Sequence, residues 1–69
     1  MAKRSITIAG HRTSISLEEP FWQALAEIAA VKSMSVAALV VEIDRARVAE
    51  VNLSSAIRLF VLDWLRSRR

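Results

Sequence analysis

The alternation of polar and apolar residues near the start of the chain changes phase within a few residues, and this change constrains the fold most. Ile6 and Ile8 stand at even positions, whereas Ile15 and Leu17 stand at odd positions. In one continuous strand these two pairs would face opposite sides of a sheet. The chain therefore has to reset its register between them. Gly10, its single glycine, most easily allows the tight turn or bulge that this requires.

Two arrangements of residues 3–17 satisfy this constraint. In the first, Ala9 and Gly10 form a two-residue hairpin loop that brings Ile6 opposite Thr13. In the second, the segment is a bulged strand with a flexible N-terminal arm. The hairpin separates an apolar face from a polar face, and the polar face carries Lys3, Ser5, Thr7, Arg12, Ser14 and Ser16.

Three helical patterns follow, and their apolar periodicity predicts helices over 18–33, 35–48 and 54–66. Ser16 and Glu19 have the spacing of a capping box for the first helix. The hairpin or strand and these helices form a single domain over residues 1–69, and we identify no internal repeat.

The caps of the later helices leave a choice. Ser33 and Ser35 are both suitable N-caps for the second helix, as are Asn52 and Ser54 for the third. The first two turns of the second helix, around residues 36–41, are apolar on nearly every side. Such a helix is buried on several sides, and in so short a chain part of that burial has to come from another subunit.

Composition supports a homo-oligomer and argues against catalysis. The chain has 69 residues, of which 54% are hydrophobic, which is more apolar surface than a monomer of this size readily hides. It has no cysteine and one histidine, which excludes thiolate and multi-histidine metal sites and suits a reducing, cytoplasmic setting. We expect no enzyme activity, no cofactor and no membrane span, and we interpret His11 as a turn or sheet-edge residue.

The charge balance is basic. Ten lysines and arginines against seven acids give a net charge of +3. The basic residues concentrate at both ends of the chain. There they either bind a polyanionic partner or lie in solvated tails that keep the protein soluble.

Residues 12–43, "RTSISLEEPFWQALAEIAAVKSMSVAALVVEI", together with "NLSSAIRLFVL" further on, resemble the ribbon-helix-helix family of DNA-binding proteins. More narrowly, they are similar to a bacterial subgroup of short members with an extra C-terminal helix. The resemblance implies a mainly α fold with a short β-ribbon. It also implies an intertwined homodimer in which one strand from each subunit pairs into a ribbon that enters the DNA major groove.

The resemblance also implies site residues. Those expected to read bases are Arg12, Ser14 and Ser16. Those expected to contact phosphates are Lys3, Arg4, Lys32, Ser35 and Val36. Those expected in the dimer core are Ile15, Leu17, Leu25, Ile28, Leu39, Val40 and Ile43.

The function expected from this resemblance is a sequence-specific, dimeric DNA-binding transcriptional regulator. The alternative is a protein-interaction module, antitoxin-like or an adaptor, that keeps the fold without reading DNA. The helix over 54–66 has three possible roles: it completes the dimer core, joins dimers into tetramers, or binds a protein partner.

Overall fold

A computed structural model describes residues 1–68 and contains a two-stranded antiparallel ribbon followed by three helices. The elements are β1 (Ala2–Ile8), β2 (His11–Leu17), α1 (Glu19–Val31), α2 (Val36–Ala46) and α3 (Leu53–Ser67). Of the two arrangements that the sequence leaves open, the structure contains the hairpin, with Ile6 opposite Thr13 and Ile8 opposite His11.

The loop of the hairpin has left-handed backbone at both of its residues. The φ angles are 52° at Ala9 and 81° at Gly10. Two consecutive positive φ angles define a type I′ turn, whose twist matches that of the flanking strands. Gly10 adopts this conformation freely, whereas the Cβ of Ala9 makes it strained.

The start of α1 differs from the prediction. The capping box between Ser16 and Glu19 is wrong, because Ser16 still belongs to β2 and Glu18 is the residue that precedes the helix. α1 also ends at Val31, short of residue 33. There Ser33 adopts a φ of 56°, and the Met34 N–H donates to the carbonyl of Ala29 at 2.9 Å, which closes the helix in a Schellman motif.

The structure decides between the possible caps of the other helices. Ser35 Oγ accepts a hydrogen bond from the Ala38 N–H at 3.0 Å. Asn52 Oδ1 accepts one from the Ser55 N–H at 2.9 Å. α2 ends at Ala46, earlier than the predicted residue 48, because Arg47 already has extended backbone.

The core lies between the inner face of the ribbon and the three helices. α1 and α2 are bent by 97° relative to each other. Trp22 of α1 reaches the open end of the ribbon, where its Nε1–H donates to the Ala2 carbonyl at 2.9 Å. The buried side chains are Ile6, Ile15, Leu17, Trp22, Leu25, Ile28, Ala29, Leu39, Val40, Ile43, Ile57 and Val61.

Within residues 1–68, no single helix has the length and apolarity to cross a membrane. Only α1 and α2 together reach that length and composition, as a sharply bent pair.

Candidate nucleic-acid interface

The outer face of the ribbon is a continuous polar surface. Side chains alternate between the two faces of a strand, so paired residues share a face. The cross-strand pairs on the outer face are Lys3 with Ser16, Ser5 with Ser14, and Thr7 with Arg12. Ser16 is half-buried and the others are exposed. This surface carries hydroxyl groups and two cations and no acidic side chain.

The two cations lie at diagonally opposite corners of this surface. Lys3 is at the open end of the ribbon on β1, and Arg12 is next to the turn on β2. Neither forms an ion pair or a side-chain hydrogen bond with any residue in the part of the chain that the structure describes. Both side chains are therefore available to an external acceptor.

Arg4 does not share this surface with Lys3. Its parity places it with the inward-facing residues, at the margin of the sheet opposite Ile15. Its guanidinium lies 4.8 Å from the centre of the Trp22 ring and donates to Glu19 Oε1 at 3.2 Å. The Glu19 carboxylate thus balances the charge of Arg4 in this structure, and the expected phosphate contact of Arg4 stays a prediction.

The other residues expected to contact phosphate gather at the turn between α1 and α2. Lys32 Nζ lies 5.8 Å from the centre of the Trp64 ring. The hydroxyl of Ser35 is occupied in capping α2. The first N–H groups of a helix have no intrahelical acceptor, so those of Val36 and Ala37 point out of α2 at its positive end. The turn therefore offers backbone donors and one lysine, as a group separate from the ribbon face.

The residues expected in the dimer core are all buried within one chain. They are 0–7% exposed without any second copy: Ile15, Leu17, Leu25, Ile28, Leu39, Val40 and Ile43. They form part of the core of a single chain, and their expected role in a dimer core stays a prediction.

Large apolar side chains do remain exposed on α3. Leu59, Leu62 and Leu65 recur every third residue and are 58%, 48% and 55% exposed. The buried residues of α3 are Ile57 and Val61. α3 thus completes the core with one side and leaves a row of leucines on its surface.

Two contacts that the sequence does not reveal attach α3 to the base of the ribbon. Arg58 donates to both carboxylate oxygens of Glu18, at 2.9 and 3.3 Å. The guanidinium hydrogen bond holds the pKa of the Glu18 carboxyl below its usual range. Beside it, Ser54 Oγ donates to the Ser16 carbonyl at 3.1 Å. No local sequence pattern signals contacts between residues so distant along the chain.

Comparison with known proteins agrees with this architecture. Residues 1–65 match the model of a family described as a ribbon-helix-helix domain. The match spans nearly the whole chain, and the chain belongs to the ribbon-helix-helix family. No curated protein and no solved structure matches it. Members of this family generally bind DNA as transcription regulators and dimerise.

Proposed function

We propose that this protein is a sequence-specific DNA-binding transcriptional regulator that recognises DNA through the outer face of the ribbon. One observation carries the proposal. The exposed face of the hairpin presents two unpaired cations and a row of hydroxyl groups, with no carboxylate among them. A negatively charged groove lined with hydrogen-bonding base edges is complementary to such a surface.

The dimensions of the major groove admit a two-stranded ribbon. Arg12 is the main base-reading residue, because its guanidinium can donate two parallel hydrogen bonds to O6 and N7 of guanine. Ser14 and Ser16 are shorter and can both donate and accept, so they discriminate less between bases. Lys3 supplies a mobile point charge that suits a phosphate oxygen.

A second contact with the DNA backbone comes from the start of α2. The free N–H groups of Val36 and Ala37, with the helix dipole behind them, suit a phosphate. Lys32, just before this helix, adds a positive charge. These contacts fix the orientation of the protein on the duplex and carry no sequence information.

We further propose that the protein works as a homodimer in the cytoplasm, where it has access to bacterial DNA. We propose that the partner covers an apolar surface that remains exposed in one chain. The row of Leu59, Leu62 and Leu65 on α3 is such a surface. A second copy placed about a two-fold axis would match this row with itself.

Fluorescence anisotropy with random-sequence DNA at two salt concentrations tests the proposal, followed by selection from a random DNA pool. We expect binding at low salt, a steep fall in affinity as salt rises, and a distinct selected sequence. Absence of binding at low salt would refute DNA recognition. It would favour the alternative, a protein-interaction module that binds its partner through α3.

A further inference from the structure

The side of α3 that packs on the core continues past the core to a tryptophan and an arginine. Four residues recur at helical spacing and share this side: Ile57, Val61, Trp64 and Arg68. The first two are buried, Trp64 is half-buried, and Arg68, which caps the end of the helix, is exposed. The core-facing side of α3 therefore ends in a cation at the surface.

Two cations from different elements meet at the ring of Trp64. The guanidinium carbon of Arg68 lies 5.1 Å from the centre of the ring, and Lys32 Nζ lies 5.8 Å from it. Both distances are within the roughly 6 Å over which an aromatic ring attracts a cation. Lys32 is the residue that caps the end of α1. The ring thus joins the end of α3 to the turn between α1 and α2.

No acidic side chain among residues 1–68 compensates these two charges. The arginines that form ion pairs in this part of the chain are Arg4, Arg47 and Arg58. Two like charges beside one ring repel each other, and the negative face of the ring offsets this repulsion only in part. An anion that contacts both Lys32 and Arg68 would remove the repulsion. The pair is therefore a favourable place for an anion.

We propose that Lys32 and Arg68, held by Trp64, form a phosphate-binding site. The donors indicate this class of ligand. The guanidinium presents a planar fork of N–H groups that matches phosphate oxygens, and the ammonium group binds phosphate as a point charge. A guanidinium beside an aromatic ring keeps the N–H groups at its edge available. In the proposed function, on which this step rests, the phosphate belongs to the DNA backbone beside the start of α2.

The site gives α3 a role besides packing and self-association. Leu59 and Leu62 are on the side of the helix that faces away from Trp64 and Arg68, because residues share a side only when they are three or four apart. A second copy on these leucines leaves the phosphate site accessible. Arg68 thus acts as a binding group, and the basic end of the chain is more than a solvated tail.

The indole N–H signals of the ¹⁵N-labelled protein test the site without any DNA. Trp22 is 1% exposed and its Nε1–H is bonded to the Ala2 carbonyl, so its signal is an internal reference. Pyrophosphate added at low salt should shift the signal of Trp64 in a saturable way and leave that of Trp22 unchanged. Arg68→Ala should weaken the fitted affinity at least about threefold, because it removes a charged hydrogen-bond donor.

The matched control is Arg66→Ala. Arg66 is also exposed, but it is two residues from Arg68 and therefore lies on another side of α3. This variant loses the same charge and should bind pyrophosphate as the natural protein does. An unmoved Trp64 signal, or an equal loss of affinity in Arg66→Ala and Arg68→Ala, would overturn the site.

DNA binding provides the second arm of the test. In anisotropy titrations, Arg68→Ala should weaken binding to selected and scrambled duplexes alike, by about fivefold at low salt. The slope of log affinity against log salt should also fall by about 1 for each protein copy bound. Lys32→Ala should act in the same direction, whereas Arg66→Ala should change both quantities less. The preferred sequence should stay the same in all three variants.

Trp64→Leu removes the ring and no charge, so net charge cannot account for its effect. We expect it to weaken DNA binding, and Trp64→Phe, which keeps an aromatic ring, to restore most of the affinity. Circular dichroism checks folding, because Trp64 also packs against the core, and the exposed Arg68→Ala keeps the test independent of this packing. If Arg68 is needed for pyrophosphate but the protein binds no DNA, the phosphate site stands and the proposed function fails. If the protein binds DNA and Arg68→Ala equals Arg66→Ala, the proposed function stands and the site fails.

Discussion

At the scale of single residues, the ribbon depends on a few positions with distinct physical roles. Gly10 allows the tight turn, while Ala9 occupies a left-handed conformation that its side chain disfavours. The lone histidine, His11, is exposed beside this turn. Arg12, the next residue, is the one whose side chain is free and whose chemistry suits base recognition.

Ala9→Asn should stabilise the protein by about 1 kcal/mol, because asparagine tolerates left-handed backbone and is favoured at this position of a type I′ turn. Urea unfolding should show a higher midpoint with an unchanged slope. Gly10→Ala is a control for which we expect the opposite effect, a loss of stability. Nothing lies within 4 Å of the added Cβ, so its destabilisation of about 1–2 kcal/mol would arise from backbone strain alone. Equal stability of Ala9→Asn and the natural protein would argue against this turn geometry.

Arg12→Ala should weaken binding to the selected DNA by about 1–3 kcal/mol, which is roughly 5- to 150-fold, and relax the preference at one base pair. Lys3→Ala should weaken binding to all sequences alike. Arg66→Ala removes an exposed cation on α3 and is the control for the effect of net charge alone. Anisotropy titrations against selected and scrambled duplexes distinguish these effects. If Arg12→Ala leaves both the affinity and the preferred sequence unchanged, the outer face is not the reading surface.

At the scale of secondary-structure elements, α3 connects the parts of the molecule. Its buried side, Ile57 and Val61, completes the core beneath the ribbon. Its first turns bond to the junction between β2 and α1, through Ser54 and Arg58. These two contacts sit where the strand leads into the helix, so α3 fixes the ribbon relative to the helical layer.

The ion pair between Glu18 and Arg58 should make part of the stability depend on pH. Because the pKa of Glu18 is lowered in the folded state, unfolded chains bind the proton more readily. The contribution is therefore present above the carboxyl pKa of the unfolded chain, about 4.3. It is lost as the pH falls through the lower folded value.

Glu18→Gln should therefore be less stable than the natural protein at pH 7, with the difference shrinking as the pH falls through the lowered pKa of Glu18. Urea unfolding at a series of pH values measures this difference. Arg58→Gln should cause a similar loss at pH 7, and the double variant should lose little more than either single variant. A difference that is constant across this pH range would exclude the ion pair as its source.

At the scale of the whole molecule, the core is buried within one chain, whereas part of the apolar surface of α3 remains exposed. The buried residues of the ribbon and the helices form one cluster inside a single chain. The exposed leucines of α3 lie outside it.

Leu59→Lys/Leu62→Lys should shift the protein toward monomer and raise the dissociation constant for self-association at least tenfold, because each buried leucine contributes about 1.5–3 kcal/mol. Sedimentation across a range of concentrations measures the shift. Val31→Lys is a matched control on α1, since Val31 is also exposed, at 61%. A natural protein that stays monomeric at every concentration would contradict dimerisation through α3.

The sequence by itself determined the elements and their faces. The phase change around Gly10, the polar parity of Arg12, Ser14 and Ser16, and the periodicity of three helices depend on neighbours along the chain. The family pattern in residues 12–43 then indicated the ribbon-helix-helix fold, which the family match and the structure confirm. Alternation, helical periodicity and the family pattern are local features, and the sequence therefore reveals them directly.

Only the tertiary structure decided which strand pairs with β2 and which cations stay free. The hairpin and the bulged arm satisfy the same parity, so the choice depends on contacts across the fold. Ser54 and Arg58 reach Ser16 and Glu18 from 38 and 40 residues away. Arg4 is paired with Glu19 although Lys3, beside it, is not. These contacts arise from packing of separate elements, which local alternation and helical periodicity do not encode.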